Sequence, residues 1–334
     1  MALPLRSRVA LTDISSRAWE HPADRGALVA LRKLKGFDTV VKTMNGLVSE
    51  RATRLVLLGN AVRVDERQFP VLHRLLADVG QVLDAAELPE LYVVNDPTAN
   101  AMTIGMDKPV IVLNSGLVDL MDEEELRFVL GHELGHALSG HAVYRTLLLE
   151  LLQFSGVFGA LPLGALGVRI ILAALMEWSR TSELSADRAG LLSTQDPAVA
   201  LRVHMKLASG GHLADLDAAS FLAQGAEYRE SGDLRDSLLR LTLVEQASHP
   251  FAVIRATEAR RWVDSGEYTA ILGGTYPVRA DDAGAPMSEA ARQAAAHYAE
   301  SFARAQDALV SAIRDLGGLV GAAKGWFDER FGRH

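Results

Sequence analysis

The pentapeptide His132-Glu133-Leu134-Gly135-His136 constrains this chain more than any other feature. Residues four apart share one face of an α-helix, so both imidazoles can reach a single ion only if this stretch is helical. Two histidines leave a bound metal open for a third protein ligand and a water. Glu133, next to the first histidine, stands where a base for that water is needed. The flanks support a helix. Asp122 and Glu125 have the spacing of a variant capping box, and Leu126, Val129, Leu130 and Leu134 recur at helical intervals. A buried helix with histidines bonded to backbone or carboxylate groups would explain the two imidazoles. It would not explain an acid between them, since carboxylates are rarely buried without a partner.

The third ligand has to come from elsewhere. The extended motif with a further Gly and His does not fit, because those positions hold Ser139 and Ala142, and His141 falls one residue short. The segment Glu183 to Gly190 offers an alternative. Glu183 and Asp187 form an i,i+4 pair, so one acid can bind metal while the other accepts the free ring N–H of a ligand histidine. The plainer reading is a solvated face paired with a nearby arginine. The chain has no cysteine, which excludes thiolate sites and disulfides and leaves His and carboxylate as ligands.

Four ordered elements resemble peptidase family M48, the zinc endopeptidases that include the HtpX-like and CAAX-prenyl protease types. They are Asn100-Ala101 with Gly105 and the run Val110 to Leu117; Glu124-Glu125-Leu126 leading into the pentapeptide, with Gly140-His141 behind it; Glu183 to Asp187; and His249-Pro250 with Arg255. The resemblance implies one zinc ion per chain held by His132, His136 and Glu183, with Glu133 as general base. It implies that Asp187 orients a ligand histidine, that His249 lies over the metal to stabilise the oxyanion, and that Arg255 holds nearby carboxylates. Taken alone, His249 before a proline reads as an ordinary loop histidine. The resemblance further implies a zincin-like α+β fold, mainly helical, with a small antiparallel or mixed sheet. In the family, the strand region around Asn100 and Ala101 receives an extended peptide.

Four regions are expected: a mainly helical region over 1–88, a catalytic domain over 89–265, a linker over 266–287 and a helical tail over 288–334. Asp65-Glu66 reads as the start of a helix with Pro70 in its first turns and Leu72, Leu75, Leu76, Val79, Val82 and Leu83 on its apolar face. Leu91–Val94 and Val110–Leu113 read as neighbouring strands, and Asp196-Pro197 as a helix start. In the tail, Tyr298, Phe302, Ala305, Leu309 and Leu316 form a narrow seam. It is expected to pack on its own chain; the alternatives are a homodimer contact or a cap over the cleft.

Leu151 to Val168 carries no charge, which is near the minimum for a membrane span. His136 and Glu183 flank it and must meet at one ion, so a single crossing is excluded. Two crossings need roughly forty apolar residues plus a turn, and Leu161-Pro162-Leu163-Gly164 interrupts the run. A helical hairpin over 145–178 is expected, with residues 147–176 a candidate for peripheral contact with a bilayer or partner. The expected location is cytoplasmic, without a signal segment. The net charge of −8 argues against nucleic acid as a partner; the expected partner is a peptide or protein substrate. The competing readings are a binding or chaperone-like protein with zinc as a staple, and a latent protease blocked by its hairpin or tail.

Overall fold

The computed structural model describes residues 7–34, 37, 50–105, 107–158, 164–230 and 251–303. Helices dominate, around a mixed four-stranded sheet. In chain order the elements are α1 (Pro22–Arg32), α2 (Glu50–Asn60), β1 (Ala61–Arg63), α3 (Pro70–Val82), β2 (Glu90–Val94), β3 (Ala101–Ile104), β4 (Val110–Asn114), α4 (Ser115–Leu120), α5 (Glu123–Leu138), α6 (His141–Phe158), α7 (Gly164–Thr194), α8 (Pro197–Ser209), α9 (Ala218–Glu230), α10 (Ala252–Asp264) and α11 (Glu267–Leu272). Residues 289–303 form a further helix, α12.

The sheet order is β1-β2-β4-β3. β2 and β4 are parallel neighbours, with Tyr92 opposite Val112, while β1 and β3 pair antiparallel at the two edges. Alternation of side chains sorts the strands into two faces. Leu91, Val93, Ala101, Ile111 and Leu113 enter the main core, which also takes residues of α3, α5, α7 and α8. Tyr92, Val110 and Val112 form a cluster on the other face, with Leu57 of α2 packed against it. Among the described residues β3 is thus an edge strand of the sheet, and α5 runs beneath it.

A second core joins Ala27, Ala30 and Leu31 of α1 to Leu147 and Leu151 of α6, Ile171, Leu175 and Trp178 of α7, and Phe302 of α12. The 31-residue α7 reaches both cores, with Ile171 to Trp178 in the second and Ala189 to Leu192 in the main one. Its middle, which carries Glu183 and Asp187, lies between them. Leu147, Leu151, Ile171 and Leu175 of the apolar hairpin thus pack on this chain's own helices, whereas Leu149 and Leu152 are exposed. Among the described residues, no helix is long and apolar enough to cross a membrane. Tyr298 and Phe302 of the tail seam face the same core, whereas Ala305, Leu309 and Leu316 lie outside the described residues.

Three local expectations need adjustment. The helix placed at Asp65 begins instead at Pro70. Asp65 Oδ1 accepts the backbone N–H groups of Arg67 and Gln68 at 2.8 and 2.9 Å, which makes a turn, and Phe69 enters the helix at φ 54°. Proline at the first helical position costs no hydrogen bond, so the helix starts there. The mainly helical region up to residue 88 also contributes the edge strand β1. Finally, the segment 266–287 includes α11, whose Tyr268 and Ile271 are buried in the main core.

Candidate metal centre

α5 is fixed at its start by the expected capping box. Asp122 Oδ1 accepts from the Glu125 N–H at 2.9 Å, and Glu125 Oε2 accepts from the Asp122 N–H at 2.9 Å. Buried Glu125 is also paired with Lys206 of α8 at 2.6 Å. Further along, Gly131 and Gly135 let α7 approach closely. A Cβ on Gly135 would stand 2.5 Å from the Ala189 Cβ, and one on Gly131 would stand 2.2 Å from the Ser193 Oγ. This contact brings Glu183 against the two histidines.

His132, His136 and Glu183 are all buried, and their ligand atoms lie within 4.8 Å of one another. His132 Nε2 is 3.4 Å from Glu183 Oε2, and His136 Nε2 is 3.3 Å from Glu183 Oε1. Each imidazole is held from behind through Nδ1. That of His132 is 3.0 Å from Asp187 Oδ1. That of His136 is 3.0 Å from His141 Nδ1. Arg255 grips Asp187 with two bonds, Nε to Oδ2 at 2.7 Å and Nη2 to Oδ1 at 2.6 Å, and reaches Glu183 Oε2 at 3.1 Å. Arg145 of α6 donates to Glu183 Oε1 and contacts His136 Nε2, both at 2.7 Å.

This donor set suits a divalent metal. Two imidazoles and one carboxylate match catalytic sites that keep an open position, whereas structural sites are closed by four protein ligands. The surrounding charge agrees. Asp24, Glu133, Glu183 and Asp187 are buried carboxylates around the centre, faced by two buried guanidiniums, Arg145 and Arg255. With both histidines neutral, as ligation requires, the excess is two negative charges, which a divalent ion offsets. Arg145 already draws on the Glu183 and His136 lone pairs, so the local field favours a cation at these atoms.

The field also shifts the titrating groups. Burial disfavours a charged His132, but hydrogen bonds to Asp187 and Glu183 outweigh it and push the ring up to about 9. Burial and Arg145 hold His136 well below the usual histidine value. Burial would raise Asp187, yet Arg255 and His204 keep it well below the carboxylate range. Burial lowers His204 to about 4.

Glu133 is buried, with Oε1 4.0 Å from His132 Nε2. Thr103 of β3 donates to its Oε2 at 2.6 Å, a tether between the edge strand and the helix. Beside them opens a cavity of about 270 Å³, lined by Asn100, Ala101, His132, Glu133 and Arg255 with apolar Leu117, Phe128, Val129, Val203 and Leu207. Asn100 and Ala101 therefore stand next to the centre. His249 lies outside the described residues.

Four neighbours of the centre escape a sequence reading. His141 shows up there as a ligand out of register and within the Gly140-His141 element of the resemblance, without its contact to His136. Arg145 is one turn further along α6 from His141, and this i,i+4 pair at the head of an apolar helix was the available signal. Thr103 and Asp24 give no signal, because each reaches the centre only through tertiary packing.

A histidine pair on a helix, met by a carboxylate from a second helix beneath a sheet edge, places the molecule among the metallopeptidases. Comparison with known proteins agrees. The profile of peptidase family M48 matches residues 66–263. The plastoglobule-localized metallopeptidase 48 of Arabidopsis thaliana is 35% identical over 265 residues, covering 78% of this chain and 76% of that protein. A protease HtpX homolog of Tropheryma whipplei is 27% identical over 178 residues, covering 46% of this chain and 61% of the homolog. One from Streptococcus pneumoniae is 33% identical over 89 residues, covering 26% and 29%. No solved structure matches. The chain belongs to peptidase family M48.

Proposed function

We propose that the protein is a zinc-dependent metalloendopeptidase with Glu133 as its general base. The observation that carries this reading is the placement of Glu133: its carboxylate borders an open cavity and stands 4.0 Å from a ligand nitrogen, at a site with three protein ligands. His132, His136 and Glu183 would hold the ion; a His–His–Glu set without cysteine favours zinc. When bound, zinc would polarise the scissile carbonyl and lower the pKa of a water. Glu133 takes the proton from the attacking water and returns it to the leaving amine, held in place by Thr103. Asp187 orients His132, and Arg255 fixes both Asp187 and Glu183. His249 is the proposed partner of the developing oxyanion.

An extended peptide is proposed to lie along the edge strand β3, passing Asn100 and Ala101. The cavity beside Glu133 would take a large apolar side chain next to the scissile bond. A second cavity, lined by Glu50, Arg54, Met102, Ile104, Lys108 and Glu150 among others, opens on the sheet face away from Glu133.

The test is metal content and quenched-peptide cleavage, measured together on wild type and Glu133→Gln. One zinc in both, with cleavage falling at least about a hundredfold in the variant, is expected. Equal cleavage by a zinc-loaded variant would sink the assignment of Glu133.

A further inference from the structure

Asp24 has no role in the proposed reaction, lies outside residues 66–263 that match the family profile, and yet sits against the metal centre. It occupies the first turn of α1, where an acidic residue ordinarily favours the helix dipole. Its carboxylate does not serve α1. Oδ1 accepts from Trp178 Nε1 at 2.9 Å, and Oδ2 accepts from Ser185 Oγ at 2.6 Å and lies 3.0 Å from His141 Nε2. Ser185 stands between Glu183 and Asp187 on α7, and its Oγ also accepts the His21 backbone N–H at 2.8 Å. A carboxylate 2% exposed needs such partners, and here they fix both of its oxygens.

The bonding pattern determines where protons sit. An ionised carboxylate only accepts, so the ring nitrogen facing Asp24, His141 Nε2, carries a proton. A ring with one proton then presents Nδ1 as an acceptor. That nitrogen is 3.0 Å from His136 Nδ1, which must donate to it. The proton of His136 is thereby placed on Nδ1, and Nε2 keeps the lone pair that accepts from Arg145 at 2.7 Å. A proton on His141 Nδ1 would reverse the order and move the His136 proton onto Nε2, where it blocks ligation. His132 reaches the same state more directly, through Asp187.

We propose that Asp24 is a positioning residue for the metal centre, acting through His141 to hold His136 in its metal-binding tautomer. This rests on the reading of His132, His136 and Glu183 as metal ligands. It makes the N-terminal helix part of the centre. It also links α12 to it, since a Cβ on Gly26 would stand 2.5 Å from the Ala294 Cβ of that helix.

The test uses the full chain and a competing chromogenic chelator to measure the zinc dissociation constant. Asp24→Asn and His141→Leu should each weaken zinc by about ten- to a hundredfold, the usual cost of losing an outer partner of a metal ligand. The double variant should be no weaker than His141→Leu alone, because both changes break one relay. His141→Gln should stay within about twofold of wild type, since its amide can donate to Asp24 and accept from His136. A purely structural role would instead lower the melting temperature of the metal-free protein and leave the zinc constant unchanged. That result, or additive losses in the double variant, would overturn the proposal. If Asp24→Asn fails to fold by circular dichroism, the contrast between His141→Gln and His141→Leu decides. Wild type without zinc would overturn the metal-centre reading itself.

Discussion

Replacing Gly135 with alanine sets two effects of opposite sign against each other. On helix propensity alone, Gly→Ala inside a helix stabilises by about 1 kcal/mol. Packing says otherwise. The new Cβ would lie 2.5 Å from the Ala189 Cβ, with the Ala186 Cα at 3.6 Å. Carbon atoms prefer about 3.5–4.0 Å, so the helices must part by about 1 to 1.5 Å. Ala189 has no rotamer with which to retreat. Overpacking of this kind costs about 1–3 kcal/mol, so the net change is a destabilisation of about 0–2 kcal/mol. The larger effect falls on the centre. Glu183 rides on the helix that is displaced, and its oxygens are 3.3 and 3.4 Å from the ligand nitrogens. A shift of about 1 Å at reacting groups can cost about a hundredfold in rate. Urea denaturation, zinc competition and peptide cleavage would be measured on Gly135→Ala beside Gly140→Ala. Gly140 has φ 70° and no neighbour within 4 Å of an added Cβ, so its variant should lose about 1 kcal/mol through backbone strain and bind zinc normally. A Gly135→Ala protein that is more stable, binds zinc normally and cleaves at the wild-type rate would refute the claim that this contact sets the ligand spacing.

Arg255→Met should destabilise the metal-free protein by about 3–5 kcal/mol, because Asp187 and Glu183 lose a buried counter-charge; a loss under about 1 kcal/mol in urea would contradict the paired network. Thr103→Val removes the donor to Glu133 and should lower kcat/KM about ten- to a hundredfold with zinc content intact, whereas unchanged kinetics would deny the tether a role. Acid should weaken the fold through His21, whose Nδ1 must be unprotonated to accept the Ala23 N–H at 3.1 Å. Burial and Arg188 lower His21 from 6.5 to about 3, so the unfolded chain takes up the proton first. Its contribution is complete above about pH 6.5 and is lost as pH falls toward 3. His21→Asn retains a capping side chain and should flatten stability over that window; an unchanged pH slope would show that His21 does not govern it.

What could be read from the sequence depended on short-range geometry. The pairs His132/His136 and Glu183/Asp187 repeat at one helical turn, and Asp122/Glu125 and Asp196-Pro197 mark helix starts through contacts a few residues long. β2 and β4 announced themselves as short apolar runs bounded by turn residues, although their parallel pairing and the place of β3 at the edge did not. The helix start at Asp65 was misplaced because its side chain captured the next backbone N–H groups and made a turn.

The sequence alone therefore put forward His132, His136 and the pair Glu183 and Asp187 as candidate metal-binding residues, since ligand type and i,i+4 spacing are local properties of a helix; which acid of the pair faces both histidines was left to packing. Tertiary structure decided how the centre is held. The bond between Asp24 and Ser185 joins residues 161 apart, and that between His132 and Asp187 joins residues 55 apart. No periodic pattern encodes such pairs. They meet because glycines on α5 admit α7 at close range and because α1 packs across α6 and α7, so their partnership follows from how helices pack rather than from any one stretch of chain.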